Sequence, residues 1–351
     1  MSDGVPVSVI TGFLGSGKTT LLRHLLSLPE MGETAVVINE FGEIGLDHTL
    51  VESSREDTVL LNSGCLCCTV RGDLVKTLQS LAIRRVRGEV PEFKRLVIET
   101  TGLADPAPIL HTLMNDPILA RDYRLDGVIA VVDGANGLAT LDAHRESVKQ
   151  AAVADRLLLS KTDIAAPGDT ATLEERLRAL NPAAPIVRSA QGQVAPSALF
   201  GAGLYDPETK TSDVQAWLKA EAYKDAEQTH HHHHDHGHDV NRHNDAIHAF
   251  ALERSEPVEW DRLVDWIEML VTLYGAQILR IKGLVNVAGD DKPVVLHGVQ
   301  HVFHPPARLD AWPKDSNRHT QIVFIVNGLE QEMFRHTMAA FLDKSEGAQT
   351  R

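Results

Sequence analysis

The sequence predicts a doubly wound α/β domain with a mainly parallel sheet, followed by a smaller α+β domain. Seven apolar runs of strand length, most of them separated by helical stretches, carry the first part. Within those runs Val, Ile and Leu are nearly continuous rather than alternating with polar residues, which marks strands buried on both faces. After residue 246 the order changes to strand, helix, two or three strands and a last helix, which suits a sheet with antiparallel neighbours.

Length and composition agree with two folded units. A chain of 351 residues exceeds one ordinary core, and 43% hydrophobic with 23% charged residues is the balance of a folded globular protein. The expected division is 1–222 for the α/β domain, 223–245 for a flexible linker and 246–345 for the second domain. A formal charge of −14 argues against nucleic acid as a partner, since phosphate-backbone binding draws on Lys and Arg. Residues 1–11 carry neither a basic leader region nor a long apolar run, so neither a signal peptide nor a membrane span is read there. The three cysteines fall within four positions, without the spaced pairs of a disulfide framework, and a reducing cytoplasm is the expected setting.

The strand 5–10 runs directly into Gly12-Phe13-Leu14-Gly15-Ser16-Gly17-Lys18-Thr19, which fits G-x-x-x-x-G-K-[ST] and precedes an apolar helical stretch. Gly12, Gly15 and Gly17 let backbone N–H groups close around phosphate oxygens, aided by the positive end of the following helix. Lys18 is expected to reach the β and γ phosphates and Thr19 to offer its hydroxyl to Mg²⁺, with Ser16 and Thr20 completing the phosphate-loop set. The remaining strands are read at 34–39, 58–62, 95–100, 126–133, 155–160 and 184–189, and helices at 74–86 and 171–180.

In such a sheet ligands bind at the carboxyl ends of the strands. The strand 95–100 delivers Glu99 there, where a carboxylate can hold Mg²⁺ directly or through water, and Gly102 leaves its loop free to respond to a γ phosphate. The strand 155–160 delivers Lys161 and Asp163. A carboxylate at Asp163 can accept two hydrogen bonds from guanine N1–H and its 2-amino group, which adenine cannot supply, so the expected nucleotide is GTP, and GDP after hydrolysis. The loop 189–191 is expected near the base.

Cys65, Cys67 and Cys68 lie between the strand 58–62 and a helix beginning near Arg71, on the ligand side of the sheet. In an extended loop Cys65 and Cys67 point the same way, with Cys68 one bond further, so three thiolates can converge on one ion, and zinc suits such soft ligands. Glu40, Glu43 and His48 are candidates for a fourth ligand. Thiol oxidation is the rival reading of the cluster. Metal is preferred because a thiolate site beside a nucleotide switch has a means of releasing its ion.

These motifs carry a resemblance. The phosphate loop, Asn39-Glu40-Phe41-Gly42-Glu43, Gly64-Cys65-Leu66-Cys67-Cys68, the Glu99 to Pro106 segment and the K-x-D loop occur in the order found in the CobW-like family of GTP-dependent metallochaperones. That family is kin to the GTPases that insert nickel into urease and hydrogenase. The resemblance spans nearly the whole chain. It implies slow GTP hydrolysis, Zn²⁺ or a related ion such as Co²⁺ or Ni²⁺ on Cys65, Cys67 and Cys68, and delivery of that metal to a client apo-metalloprotein, with a nucleotide- or metal-dependent homodimer as a further expectation. It also implies that 39–43 behaves as a switch. The family often has Asn where this chain has Ser160, so selection of guanine falls on Asp163. A zinc buffer and a thiol-regulated NTPase are the alternative functions.

Residues 229–239 hold seven of the eighteen histidines: His230, His231, His232, His233, His234, His236 and His238. The run is low in apolar residues and interspersed with Asp235, Gly237 and Asp239, so it reads as a linker, either solvated without function or acting as a fast-exchanging metal antenna. Beyond it, strands are read at 246–254, 278–287, 293–303 and 320–328, and helices at 258–275 and 330–342. Trp260 and Trp266 are read as core. His297, His301 and His304 alternate near a strand end but are taken as strand histidines rather than a metal site.

Overall fold

The computed structural model describes residues 4–38, 59–62, 70–201, 247–303, 306–313 and 316–343. Two compact units divide the chain, Met1–Asp206 and Pro207–Arg351. The expected boundary at 222 and the linker 223–245 lie outside the described residues.

The first unit is built on a seven-stranded sheet of β1 (Val5–Thr11), β2 (Thr34–Ile38), β3 (Val59–Asn62), β4 (Arg95–Glu99), β5 (Tyr123–Asp133), β6 (Arg156–Ser160) and β7 (Ile186–Arg188). Their spatial order is β3-β2-β4-β1-β5-β6-β7, and every neighbouring pair is parallel. The strand order reverses direction about β1, which places the ligand crevice of a doubly wound sheet at its carboxyl end. Val7, Val9 and Ile10 of that strand are fully buried, as the unbroken apolar runs require.

Seven helices connect the strands among the described residues: α1 (Lys18–Ser27), α2 (Val70–Val86), α3 (Ala107–Asn115), α4 (Leu119–Asp122), α5 (Gly137–Ala143), α6 (Arg145–Ala152) and α7 (Pro167–Leu180). Helix α1 buries Leu21, Leu22, Leu25 and Leu26, a one-sided stripe at helical spacing, against Ile10, Val36, Val97, Ile129 and Leu158 of the sheet. Each such leucine contributes about 1.5–3 kcal/mol by leaving water. The helix stops at Leu28, which is extended (φ −85°, ψ 141°) because Pro29 follows and disfavours the helical conformation before it.

Several element bounds differ from the sequence reading. Strand β5 begins three residues earlier than expected, because Tyr123, Arg124 and Leu125 pair with Val5, Pro6 and Val7 across a register shift. Helix α7 begins at Pro167, which occupies the first turn where a missing N–H costs nothing. Helix α2 begins at Val70, beside the start expected near Arg71 and ahead of the stretch read at 74–86.

The second unit holds a six-stranded sheet of β8 (Ile247–Arg254), β9 (Ile278–Val285), β10 (Val294–Val299), β11 (Val302–Phe303), β12 (Ala307–Arg308) and β13 (Thr320–Asn327). Its order is β11-β10-β9-β13-β8, with β12 also on β10, and all pairs are antiparallel. Helices α8 (Trp260–Tyr274) and α9 (Gln331–Leu342) cover the face that carries Phe250, Ile281, Leu296, Ile322 and Phe324. Trp266 is fully buried there, edge-on to Phe324, and its indole N–H donates to Thr337 Oγ1 at 3.0 Å. Trp260 packs at the margin of the same core.

The expected strand 293–303 is broken. Gln300 takes a left-handed φ of 52°, and β11 folds back onto β10 with Val302 opposite Val299. His297 therefore stays in a buried strand, where the Arg280 guanidinium donates to its Nε2 at 2.9 Å, while His301 sits exposed in the turn. His304 lies outside the described residues.

Candidate nucleotide site

The phosphate loop begins where β1 ends, at the centre of the sheet. Gly12, Gly15 and Gly17 have φ of 143°, 71° and 99°, all in the region that an L side chain rarely adopts. A Cβ on Gly12 would overlap the Val131 carbonyl oxygen on the neighbouring strand. Gly17 is the N-cap of α1, so the helix starts at Lys18 with its first N–H groups turned toward the loop. The Ser16 N–H donates to the Phe13 carbonyl at 3.1 Å and closes the loop on itself.

Lys18 is buried, and its ammonium donates to the carbonyls of Gly12 at 2.9 Å and Phe13 at 3.2 Å. The loop's own acceptors thus hold the charge beneath the cradle. Thr19 Oγ1 stands 3.4 Å from Glu99 Oε1. Glu99 is the last residue of β4, fully buried, and paired in register with Ile10 of β1 and Ile38 of β2. Mg²⁺ takes oxygen ligands at roughly 2.0–2.1 Å, so adjacent ligands stand about 3 Å apart. A hydroxyl and a carboxylate 3.4 Å apart at a glycine cradle fit that ion.

After Glu99 the chain stays against the phosphate loop. The Thr100 N–H donates to the Ile10 carbonyl and its hydroxyl to Thr11 Oγ1, both at 2.9 Å. A Cβ on Gly102 would come within 2.7 Å of the Leu14 backbone nitrogen, so the two loops touch through backbone where only glycine allows it. Leu14 and Leu103 are more than half exposed beside this contact.

The third wall comes from the end of β6. The Ser160 hydroxyl donates to the Ser16 carbonyl at 2.5 Å. Lys161 takes a left-handed φ of 53° and its ammonium reaches Asp133 Oδ2 at 2.7 Å, across to the end of β5. Burial pushes the Asp133 carboxyl up, but hydrogen bonds from Lys161, the Asn136 side chain and the Asn136 and Ala135 amides outweigh it and hold the group below the ordinary carboxylate value. Asp163 is exposed two residues further. Thr162 donates through its N–H and its hydroxyl to the Ser189 carbonyl, at 3.3 and 3.1 Å. The loop continues through Gln191 and Gly192, both with positive φ, and a Cβ on Gly192 would meet the Thr20 carbonyl at 3.0 Å. The 189–191 loop thus adjoins both the K-x-D loop and the first turn of α1.

The fold brings Gly12, Gly15, Ser16, Gly17, Lys18, Thr19, Thr20, Glu99, Gly102 and Lys161 to one edge of the sheet. Glu40, Glu43, His48, Cys65, Cys67, Cys68 and His230, His231, His232, His233, His234, His236 and His238 lie outside the described residues. Among the described residues no group of three or more His, Cys, Asp or Glu side chains is placed to hold a metal. Sequence reasoning missed Asp133. Its only signal is a carboxylate ending the strand next to the one that delivers Lys161. Among the described residues no helix is long and apolar enough to cross a membrane.

Residues 6–188 match the family described as CobW/HypB/UreG, nucleotide-binding domain, and residues 247–342 match the cobalamin synthesis protein cobW C-terminal domain. The zinc chaperone YjiA of Escherichia coli (strain K12) is 32% identical over 335 residues, covering 95% of this chain and 98% of that protein. The zinc-regulated GTPase metalloprotein activator 1 of Schizosaccharomyces pombe is 37% identical over 199 residues, 55% of this chain and 47% of that protein. The crystal structure of Zn(II)-bound YjiA GTPase from E. coli superposes with a TM-score of 0.71 at 28% identity, over 97% of this chain and 99% of that one.

Proposed function

Because the chain belongs to the CobW/HypB/UreG family, we propose that it is a GTP-hydrolysing metallochaperone that binds Zn²⁺, or a related ion such as Co²⁺ or Ni²⁺, and passes it to a client apo-metalloprotein. The observation that carries the GTPase reading is the approach of Thr19 to Glu99 at the glycine cradle above a buried Lys18. The backbone N–H groups of 12–17 and of the first turn of α1 would hold the phosphates. Lys18 would turn from the Gly12 and Phe13 carbonyls to the γ phosphate, where negative charge is spread in the transition state. Thr19 and Glu99 would hold Mg²⁺, which would supply neutralisation of phosphate charge. Asp163 would read guanine, with Lys161 fixed in its loop by Asp133. Gly102, against the phosphate loop, would report the γ phosphate.

Cys65, Cys67 and Cys68 would carry the cargo ion as thiolates, with Glu43 as a candidate further ligand and the 230–238 histidines as a collecting segment. If GTP changes metal affinity by some factor, the metal changes GTP affinity by the same factor, and that coupling makes release possible from a site that otherwise holds zinc firmly. A compartment that keeps thiols reduced, the cytoplasm, suits this chemistry.

Phosphate release from GTP and from ATP, measured with Mg²⁺ for wild type and Lys18→Ala, tests the reading. Turnover of GTP but not ATP, lost in the variant, is expected. Equal turnover of both nucleotides, or activity that survives Lys18→Ala, contradicts it.

A further inference from the structure

Helix α6 grips both loops of the nucleotide site at once. At its N-cap the His144 ring stacks on Phe13 of the phosphate loop, with centroids 4.3 Å apart and planes 23° apart. In its last turn Gln150 is 1% exposed and its Nε2 donates to the carbonyls of Gly102 at 3.2 Å and Ala104 at 3.0 Å. Beside it Lys149 pairs with Asp105 at 3.4 Å. Thus Gly102, Ala104 and Asp105 of the loop after Glu99 are all fastened to α6.

The amide orientation is fixed by chemistry. Both facing groups are carbonyls, which only accept, so only Nε2 can face them. Gln150 Oε1 is then left buried with no hydrogen-bond partner among the described residues. A space-filling residue would not need to bury an acceptor without a donor. The arrangement accepts that cost to fasten two carbonyls of one loop. The fastened loop brings Gly102 against the Leu14 backbone of the phosphate loop.

We propose that Gln150 is a positioning residue that holds the 100–105 loop against the phosphate loop in the arrangement that favours GTP over GDP. It touches no nucleotide and acts through Gly102. A γ phosphate then meets a loop already in place, whereas GDP, which lacks that phosphate, is indifferent to the latch. The inference rests on the GTPase reading above.

The test compares wild type, Gln150→Met and Gln150→Asn for binding of fluorescent GDP and of a fluorescent, slowly hydrolysed GTP analogue with Mg²⁺, alongside single-turnover GTP hydrolysis and thermal melting. Gln150→Met keeps the length and removes the donors; Gln150→Asn keeps the amide and shortens its reach, and it stands in if the methionine variant does not fold. The expected result is GDP affinity within about twofold of wild type and a GTP-analogue affinity at least about fivefold weaker, with hydrolysis slowed in proportion. A folded variant whose preference for the GTP analogue stays within about twofold of wild type, or rises, overturns the proposal, as does equal weakening of both nucleotides, which is what a merely structural role predicts. Wild type that binds neither guanine nucleotide overturns the GTPase reading itself, so the two failures are told apart.

Discussion

The hydroxyl of Ser160 donates to the backbone carbonyl of Ser16 at 2.5 Å, and so ties the end of β6 to the phosphate loop. The two residues are 144 positions apart in sequence, and the bond joins the segment that would read the base to the segment that would hold the phosphates. Ser160 is buried, so its removal leaves a carbonyl facing a small void rather than water. Ser160→Ala is expected to cost about 1 kcal/mol of stability and to weaken GTP binding several-fold, read by calorimetric titration and chemical denaturation. Unchanged affinity for GTP would show that the tie is idle.

The ammonium of Lys18 is already held at the cradle by two loop carbonyls, so little rearrangement separates it from a phosphate. Lys18→Ala is expected to lower the rate of GTP hydrolysis about 100-fold or more, in the range that loss of one charge-stabilising donor produces. The protein should remain folded by circular dichroism, because α1 is anchored by its leucine stripe and not by Lys18.

Gly12 has a φ of 143° and no room for a side chain beside Val131 and Ser16. Gly12→Ala is therefore expected to destabilise the first unit by about 2 kcal/mol or more through backbone strain and overlap, and to lower its melting temperature. A variant that melts with wild type would mean that β1 and β5 part easily at that point.

The pair of Asp133 and Lys161 gives a pH signature. The Asp133 carboxyl is held below its ordinary value despite burial, so the folded form binds its proton less readily than the unfolded chain. Its contribution to stability is present above the unfolded value of about 3.9 and is lost as pH falls through the lower folded value. Between about pH 5 and about pH 3, wild type should lose more stability than Asp133→Asn. Denaturant midpoints at the two pH values check this, and parallel losses in the two proteins would contradict it.

The phosphate-binding half was legible because its glycines, its lysine and its strand-to-helix context all describe one backbone path, and that path is local. The carboxyl ends carrying Glu99 and Lys161 followed from apolar runs that can only be parallel buried strands. What was not legible is non-local or depends on backbone bends. Gln150 meets Gly102 across 48 positions, and nothing in its neighbourhood marks it. The turn at Gln300 hides inside an apolar, alternating run, because a left-handed glutamine carries no glycine to announce it. The early start of β5 rests on pairing with Val5, Pro6 and Val7 through a register shift, which no local pattern encodes.

In a gated carrier the bound nucleotide governs the hold on metal. The decisive quantity is zinc affinity, measured by competition with a chromophoric chelator under reducing conditions, for wild type and Cys67→Ser, each with GDP and with a slowly hydrolysed GTP analogue plus Mg²⁺. Wild-type affinity is expected to differ between the two nucleotide states, and Cys67→Ser to lose both the affinity and the difference. Equal zinc affinity in the two states of wild type would contradict it, leaving a zinc buffer or a thiol-regulated NTPase in place of a gated carrier.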